Sequence, residues 1–284
     1  MRKIAVVTDS TSDISEDKAL EYDIKLLPLK VVYHDRQYID RVEIQPEEVY
    51  RSMEEETPKT SMPSPGETIN LFHKLANEGY TDVIAIHISS GLSGTYQMVK
   101  SVAKQMKDTI NVEVVDSKAL SLGLGFQALE ARRLVQQGMS FNEVVDKVRS
   151  LPERVRVIFV VKTLEYLRKG GRIGYVAGTI GEMLNVKPII SINEEGKYYT
   201  FDKVRGRKKS LNKLVEIVKE YAKDKKLKLA VMHGDALEEA KMIADKLKLP
   251  NLDIVSFNQI GPVMVVHTGP GLIGVAFYED EEDE

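Results

Sequence analysis

The stretch Asp82-Val83-Ile84-Ala85-Ile86-His87-Ile88, followed by Ser89-Ser90-Gly91-Leu92-Ser93-Gly94-Thr95, decides the fold class. Its first half is a continuous apolar run of strand length. It lacks the alternation of a half-exposed strand and so predicts one buried on both faces. Its second half is a loop of hydroxyls and glycines, and residues 94–107 continue it as an amphipathic helix. Strand, loop and helix in that order form the unit of a parallel sheet covered by helices. Similar strand runs fall at 4–7, 24–33 and 111–115, with helix-period segments at 65–79 and 123–138. The first half therefore reads as a doubly wound parallel sheet.

The second half has a different rhythm. Residues 155–161 predict a strand, and a polar segment broken by glycines follows at 167–178. Two strand runs, 186–192 and 196–204, flank Asn193-Glu194-Glu195-Gly196, a hairpin signal. Helices are expected at 210–223 and 237–246, with strands at 229–233, 253–256 and 273–278. This mixed order predicts a C-terminal α+β domain. The fold class expected is thus α/β, with a boundary near Leu151-Pro152-Glu153 that divides the chain into 1–153 and 154–284.

Composition narrows the function. The chain has 284 residues, 43% hydrophobic, enough for a sizeable core. No apolar run is long enough to span a bilayer, so no stable membrane insertion is expected. The apolar run at the N-terminus is too short for a signal peptide. Cysteine is absent, which excludes disulfides and thiolate metal sites and fits a cytoplasmic location. The net charge is −3, and the last six residues, Glu279 to Glu284, are all acidic. The body without them is close to neutral, so nothing in the balance calls for nucleic acid.

Ligands of doubly wound sheets sit beyond the carboxyl ends of the strands. There the chain places Thr8-Asp9-Ser10-Thr11-Ser12-Asp13, the Ser89–Thr95 loop and Asp116-Ser117. A further hydroxyl-rich loop, Thr57-Pro58-Lys59-Thr60-Ser61-Met62-Pro63-Ser64-Pro65, leads into a helix. Helix capping accounts for such residues in general, and for Ser12, Ser64 and Ser117 in particular. Ser93, between Gly91 and Gly94 just ahead of a helix, suits an anion such as a carboxylate or phosphate. The Lys of a Walker loop and the Gly-x-Gly-x-x-Gly pattern are both missing, which disfavours nucleotides. The histidines show no metal-ligand spacing, and His87, on an apolar strand, reads as core. His267 lies in the turn-like Val266-His267-Thr268-Gly269-Pro270-Gly271. Ser93 in Gly91-Leu92-Ser93-Gly94-Thr95, with later acids and His267, gives the chain order of an α/β-hydrolase. The elbow's final glycine is absent, so a serine esterase is the alternative reading. Of two basic clusters, Arg168-Lys169-Gly170-Gly171-Arg172 and Arg205-Gly206-Arg207-Lys208-Lys209, Arg172 suits a phosphate-bearing partner.

Taken in order, these pieces resemble the DegV family. The matching motifs are Thr8 to Asp13, Thr60-Ser61-x-Pro63-Ser64, Ser89 to Tyr96, Val115-Asp116-Ser117, Leu164-x-Tyr166-Leu167-x-Lys169-Gly170-Gly171-Arg172-Ile173, Lys187-Pro188-Ile189, and Gly261-Pro262 followed by His267 to Gly271. The resemblance implies a bacterial protein that binds a long-chain fatty acid such as palmitate or stearate. It implies a binding protein in lipid transport or fatty acid metabolism, with no cofactor and no catalysis of its own. The carboxylate ligands implied are Ser61 and Ser93, with Thr60, His267 and Thr268 beside them, at the cleft between domains. The acyl chain would run through an apolar tunnel in the C-terminal domain. Val160, Leu164, Ile180, Met183, Leu184, Ile190, Val263, Met264 and Ile273 are apolar residues of that half, and ordinary core burial accounts for each equally well. Some family members present the acid to a separate fatty acid kinase subunit, and Arg172 matches the arginine implicated there.

Overall fold

The computed structural model describes residues 2–179 and 185–280. The expectations placed on Ile180, Met183, Leu184 and residues 281–284 lie outside them. The chain runs β1 (Ile4–Asp9), α1 (Glu16–Glu21), β2 (Ile24–Leu27), β3 (Lys30–Val32), β4 (Gln37–Ile39), α2 (Pro46–Ser52), β5 (Lys59–Ser61), α3 (Pro65–Asn77), β6 (Asp82–His87), α4 (Thr95–Gln105), β7 (Asn111–Asp116), α5 (Leu122–Gln136) and α6 (Phe141–Arg154). It continues β8 (Arg156–Val160), α7 (Glu165–Lys169), β9 (Val186–Ile192), β10 (Tyr198–Arg205), α8 (Arg207–Tyr221), β11 (Leu227–Gly234), α9 (Leu237–Lys246), β12 (Leu252–Gln259), α10 (Pro262–Thr268) and β13 (Leu272–Glu279).

β1 and β6 are buried along their whole length, as their unbroken apolar runs require. They form the centre of a parallel sheet ordered β2-β1-β6-β7. Alternate residues serve its two faces. Ala5, Val7, Val83 and Ala85 pack on Phe72 and Leu75 of α3 and Val99 and Val102 of α4. Val6, Ile84 and Ile86 face the other way, into a core shared with α5, α6 and Val157, Phe159 and Met232 of a second sheet. That sheet is mixed, ordered β10-β9-β8-β13-β11-β12, with only β11 and β12 parallel. Its far face, including Ile158, Val160, Val231 and Phe277, packs on α8 and α9. The result is helix, sheet, helix, sheet, helix: the α/β class with its parallel and α+β halves. α5 touches both sheets, and a Cβ on its Gly123 would stand 2.3 Å from Val157 Cγ2. No helix among the described residues is long and apolar enough to cross a membrane.

Local differences from expectation have physical causes. The single strand expected at 24–33 is broken at Pro28, which has no N–H for a ladder. β2 stays in the parallel sheet, while β3 turns into a three-stranded antiparallel sheet, β4-β3-β5, in which Val31 pairs with Thr60. Lys59–Ser61, read as loop, is therefore a strand. His267 stands near the end of α10, not in a turn, because Pro262 at the first helical turn and the apolar run after it start a short helix. The hairpin between β9 and β10 forms where expected, with Gly196 at φ +78°.

Candidate functional site

Among the contacts that join the halves, two bear on the site. In the first, the β9–β10 turn reaches the loop after β6, where Ser89 Oγ donates to the Gly196 carbonyl at 2.8 Å. A Cβ on Gly91 would lie 2.5 Å from that same oxygen, so the loop can approach only as glycine. In the second, the Asp13 carboxylate accepts from Arg41, from Ser121 Oγ and from the Gly261 N–H, the last at 2.8 Å. Asp40 accepts from the Val263 N–H at 3.1 Å. The start of α10 is thus anchored to two carboxylates of the first half. Burial raises Asp40 to about 6, with hydrogen bonding and Arg41 opposing the rise.

The far end of α10 meets a pocket lined by Leu29, Thr60, Ile88, Leu92, Ser93, Leu120, Arg172, Tyr198, Val263, Met264 and His267. It encloses about 30 Å³. Thr60 faces it because β5 alternates, with Lys59 and Ser61 turned outward and exposed. His267 Nε2 is 2.8 Å from Thr60 Oγ1, while its Nδ1 is buried with no partner. Gly170 makes room for that ring, since a Cβ there would lie 2.3 Å from Nδ1. Burial, helped by the charge of Arg172, pushes His267 down to about 4, so the imidazole is neutral at neutral pH. Arg172 bridges two loops: Nη1 donates to the Gly170 carbonyl at 2.6 Å and Nε to the Leu92 carbonyl at 3.3 Å. Ser93 Oγ lies 2.9 Å from Thr95 Oγ1 in a half-buried loop.

Thr60, Ser93, His267 and Arg172 are therefore brought together. Ser61 is not; it is exposed and its hydroxyl donates to the Met62 carbonyl at 3.1 Å. Thr268 is buried, and its hydroxyl donates to the Met264 carbonyl at 2.9 Å inside α10. The Ser93 hydroxyl pairs with Thr95 and His267 with Thr60, so no Ser93–His267 bond supports an esterase. Ser64 caps α3 in a capping box. Ser117 instead closes a turn with Ala119, and Ser12 Oγ is buried without a partner. His87 pairs with the buried Asp9, Nδ1 to Oδ2 at 3.0 Å. Tyr198 lies outside every motif of the sequence that points to the site. It stands buried in the pocket, its phenol pushed well up by burial against the opposing charge of Arg172, and nothing local in the hairpin marks it out. No group of three acids or histidines among the described residues has metal-binding geometry.

A parallel sheet and a mixed sheet that meet at a hydroxyl- and arginine-lined pocket define an α/β protein built on two main sheets. The chain belongs to the DegV family, whose model, described as an uncharacterised protein of that family, matches residues 3–280. A DegV domain-containing protein of Clostridium acetobutylicum is 46% identical over 282 residues, covering 99% of this chain and 100% of the relative. A structure described as fatty acid binding of a DegV family protein from Thermus thermophilus superposes with TM-score 0.91 at 32% identity, covering 99% of this chain and 100% of that one. DegV of Bacillus subtilis, described as a fatty acid binding protein, gives 0.90 at 32%, with coverage of 99% and 100%. A stearic acid-binding protein from Eubacterium ventriosum gives 0.87 at 28%, with 98% of each chain covered.

Proposed function

We propose that this protein binds a long-chain fatty acid, with the carboxylate at the Thr60, Ser93, His267 and Arg172 cluster. The observation that carries the reading is the pocket itself, whose lining combines two hydroxyls, an imidazole and an arginine with Leu29, Ile88, Leu92, Leu120, Val263 and Met264. Relatives at full-length similarity are described as fatty-acid-binding. A C16 tail carries about 14 methylenes at ~0.8 kcal/mol each, or on the order of 11 kcal/mol before ordering costs. The tail supplies affinity, and the head needs only orientation. If His267 Nε2–H donates to Thr60 Oγ1, the threonine hydroxyl is free to donate to the carboxylate. Ser61 and Thr268 carry less support, because one is exposed and the other bonds within its helix. The pocket's 30 Å³ is far below the roughly 300–1,000 Å³ of ordinary ligand sites, so the acyl chain enters by parting the apolar wall. Met264, unbranched and flexible, is the wall residue best suited to yield.

Presentation of the bound acid to a separate kinase subunit is the finer part of the proposal. Its support is Arg172, poised at the pocket between the two loops. The division of the chain at 153/154 is a proposal too, and its support is that α6 ends at Arg154 and β8 of the second sheet starts at Arg156. The direct test is mass spectrometry of a lipid extract of the purified protein, followed by palmitate uptake by the delipidated form. Stoichiometric fatty acid is expected. A protein that is empty and takes up no palmitate would overturn the reading. Phosphorylation of the bound acid by added kinase subunit and ATP would test the finer claim.

A further inference from the structure

We propose that the open edge of β7 is a docking site for an extended acidic segment of a partner protein, which adds as a fifth strand to the parallel sheet. β7 ends the sheet, with no strand among the described residues on its outer side. The Asn111 and Ser117 N–H groups donate inward, to Thr81 and His87, at 3.1 Å each. Alternate residues of a parallel ladder bond to the same side, so Val112, Val114 and Asp116 turn their backbone groups outward. Along this edge runs a groove of about 580 Å³, walled by α4 on one side and reached by Arg149 of α6 on the other.

The groove's charge fits such a strand. Lys100 and Lys104 project from one face of α4, and Lys107 follows in the turn after it. Lys104 and Lys107 are exposed and have no ion-pair partner among the described residues, and Lys100 bonds only to the Tyr96 hydroxyl, at 3.1 Å. The acids of β7 are already matched, Glu113 by Arg149 at 2.6 Å and Asp116 by Lys118 at 2.9 Å. The lysine charge is therefore left over. Positions four apart on a helix rise about 6 Å. Alternate side chains of a strand are spaced about 6.6–6.8 Å. Acids at every second position of an added strand would meet the lysines in step, while the strand's backbone takes the free groups of β7. Lysines also guard edges against pairing. Here the strand itself carries neither lysine nor proline, and the cations stand back on the neighbouring wall.

The probe is a fluorescein-labelled decapeptide of alternating Glu and Val, followed by anisotropy with the full chain at low and high salt. Saturable binding is expected, weakened about tenfold or more in Lys100→Glu/Lys104→Glu/Lys107→Glu. Val112→Pro removes an outward N–H but no bond to β6, and it should abolish binding with the melting temperature nearly unchanged. No binding by wild type would overturn the proposal and leave the lysines as edge guards. Binding insensitive to Val112→Pro would overturn strand addition. An equally tight complex with a labelled deca-thymidylate, lost in the charge-reversed variant alone, would assign the groove to nucleic acid instead.

Discussion

α10 joins two regions built on opposite rules. At its start, Asp13 and Asp40 take the Gly261 and Val263 N–H groups, and Arg41 lies across Asp13. At its end, six residues on, His267 leaves one ring nitrogen unpartnered beside neutral hydroxyls and a small void. The first region spends its polar groups on holding two halves together. The second leaves one imidazole nitrogen unmet and pairs its hydroxyls only locally, Thr60 with His267 and Ser93 with Thr95, bonds that a carboxylate can replace. Stability and binding should therefore separate along a single short helix.

The largest break would come at the anchored end. Asp13→Ala strands Arg41, Ser121 and the Gly261 N–H together, and should cost about 3–5 kcal/mol in urea unfolding. A loss under about 1 kcal/mol would show that the anchor is ornamental. At the other end, His267 is neutral when folded and charges readily when unfolded. Its contribution is complete above pH 6.5 and drains away as pH falls towards 4, by about 3 kcal/mol in all. The stability difference between wild type and His267→Gln should track that window, and a flat difference would mean that the imidazole is hydrated. Ser93→Ala should leave stability almost unchanged yet weaken palmitate binding by about 1.5–3 kcal/mol, roughly ten- to a hundredfold. Equal affinity would remove Ser93 from the carboxylate site. Ser61→Ala is expected to stay within about 0.5 kcal/mol in both assays. An effect matching that of Ser93→Ala would move the carboxylate outward, to the exposed face of β5.

The two buried central strands were legible because nothing but a two-faced core explains β1 and β6. Weaker elements hid for specific reasons. β5 is Lys-Thr-Ser, with no apolar residue to betray a strand. α6 carried a readable signal, the capping box of Ser140 and Glu143, that the hydrophobic pattern alone passed over. α10 was obscured by the glycines that follow it. In the site, motif order pointed to Ser61 and Ser93, with Thr60, His267 and Thr268 beside them and Arg172 for a partner. The pocket collects Thr60, Ser93, His267 and Arg172 but not Ser61 or Thr268. Motif order could not say that Thr60 faces inward and Ser61 outward, because that depends on strand parity, and parity is invisible in a strand of three residues without apolar markers.

That parity has a bearing on how such a site survives change. β3 leaves the parallel sheet at Pro28 and sets the alignment of β5 through the pairing of Val31 with Thr60. A one-residue insertion or deletion in the 33–58 connection would flip β5, as any slip by one does. In one direction the side chain delivered to His267 would be that of Ser61, so a hydroxyl would replace a hydroxyl. The adjacent Thr-Ser pair thus gives the pocket a built-in spare, and loop-length variation becomes an error that the chemistry can absorb.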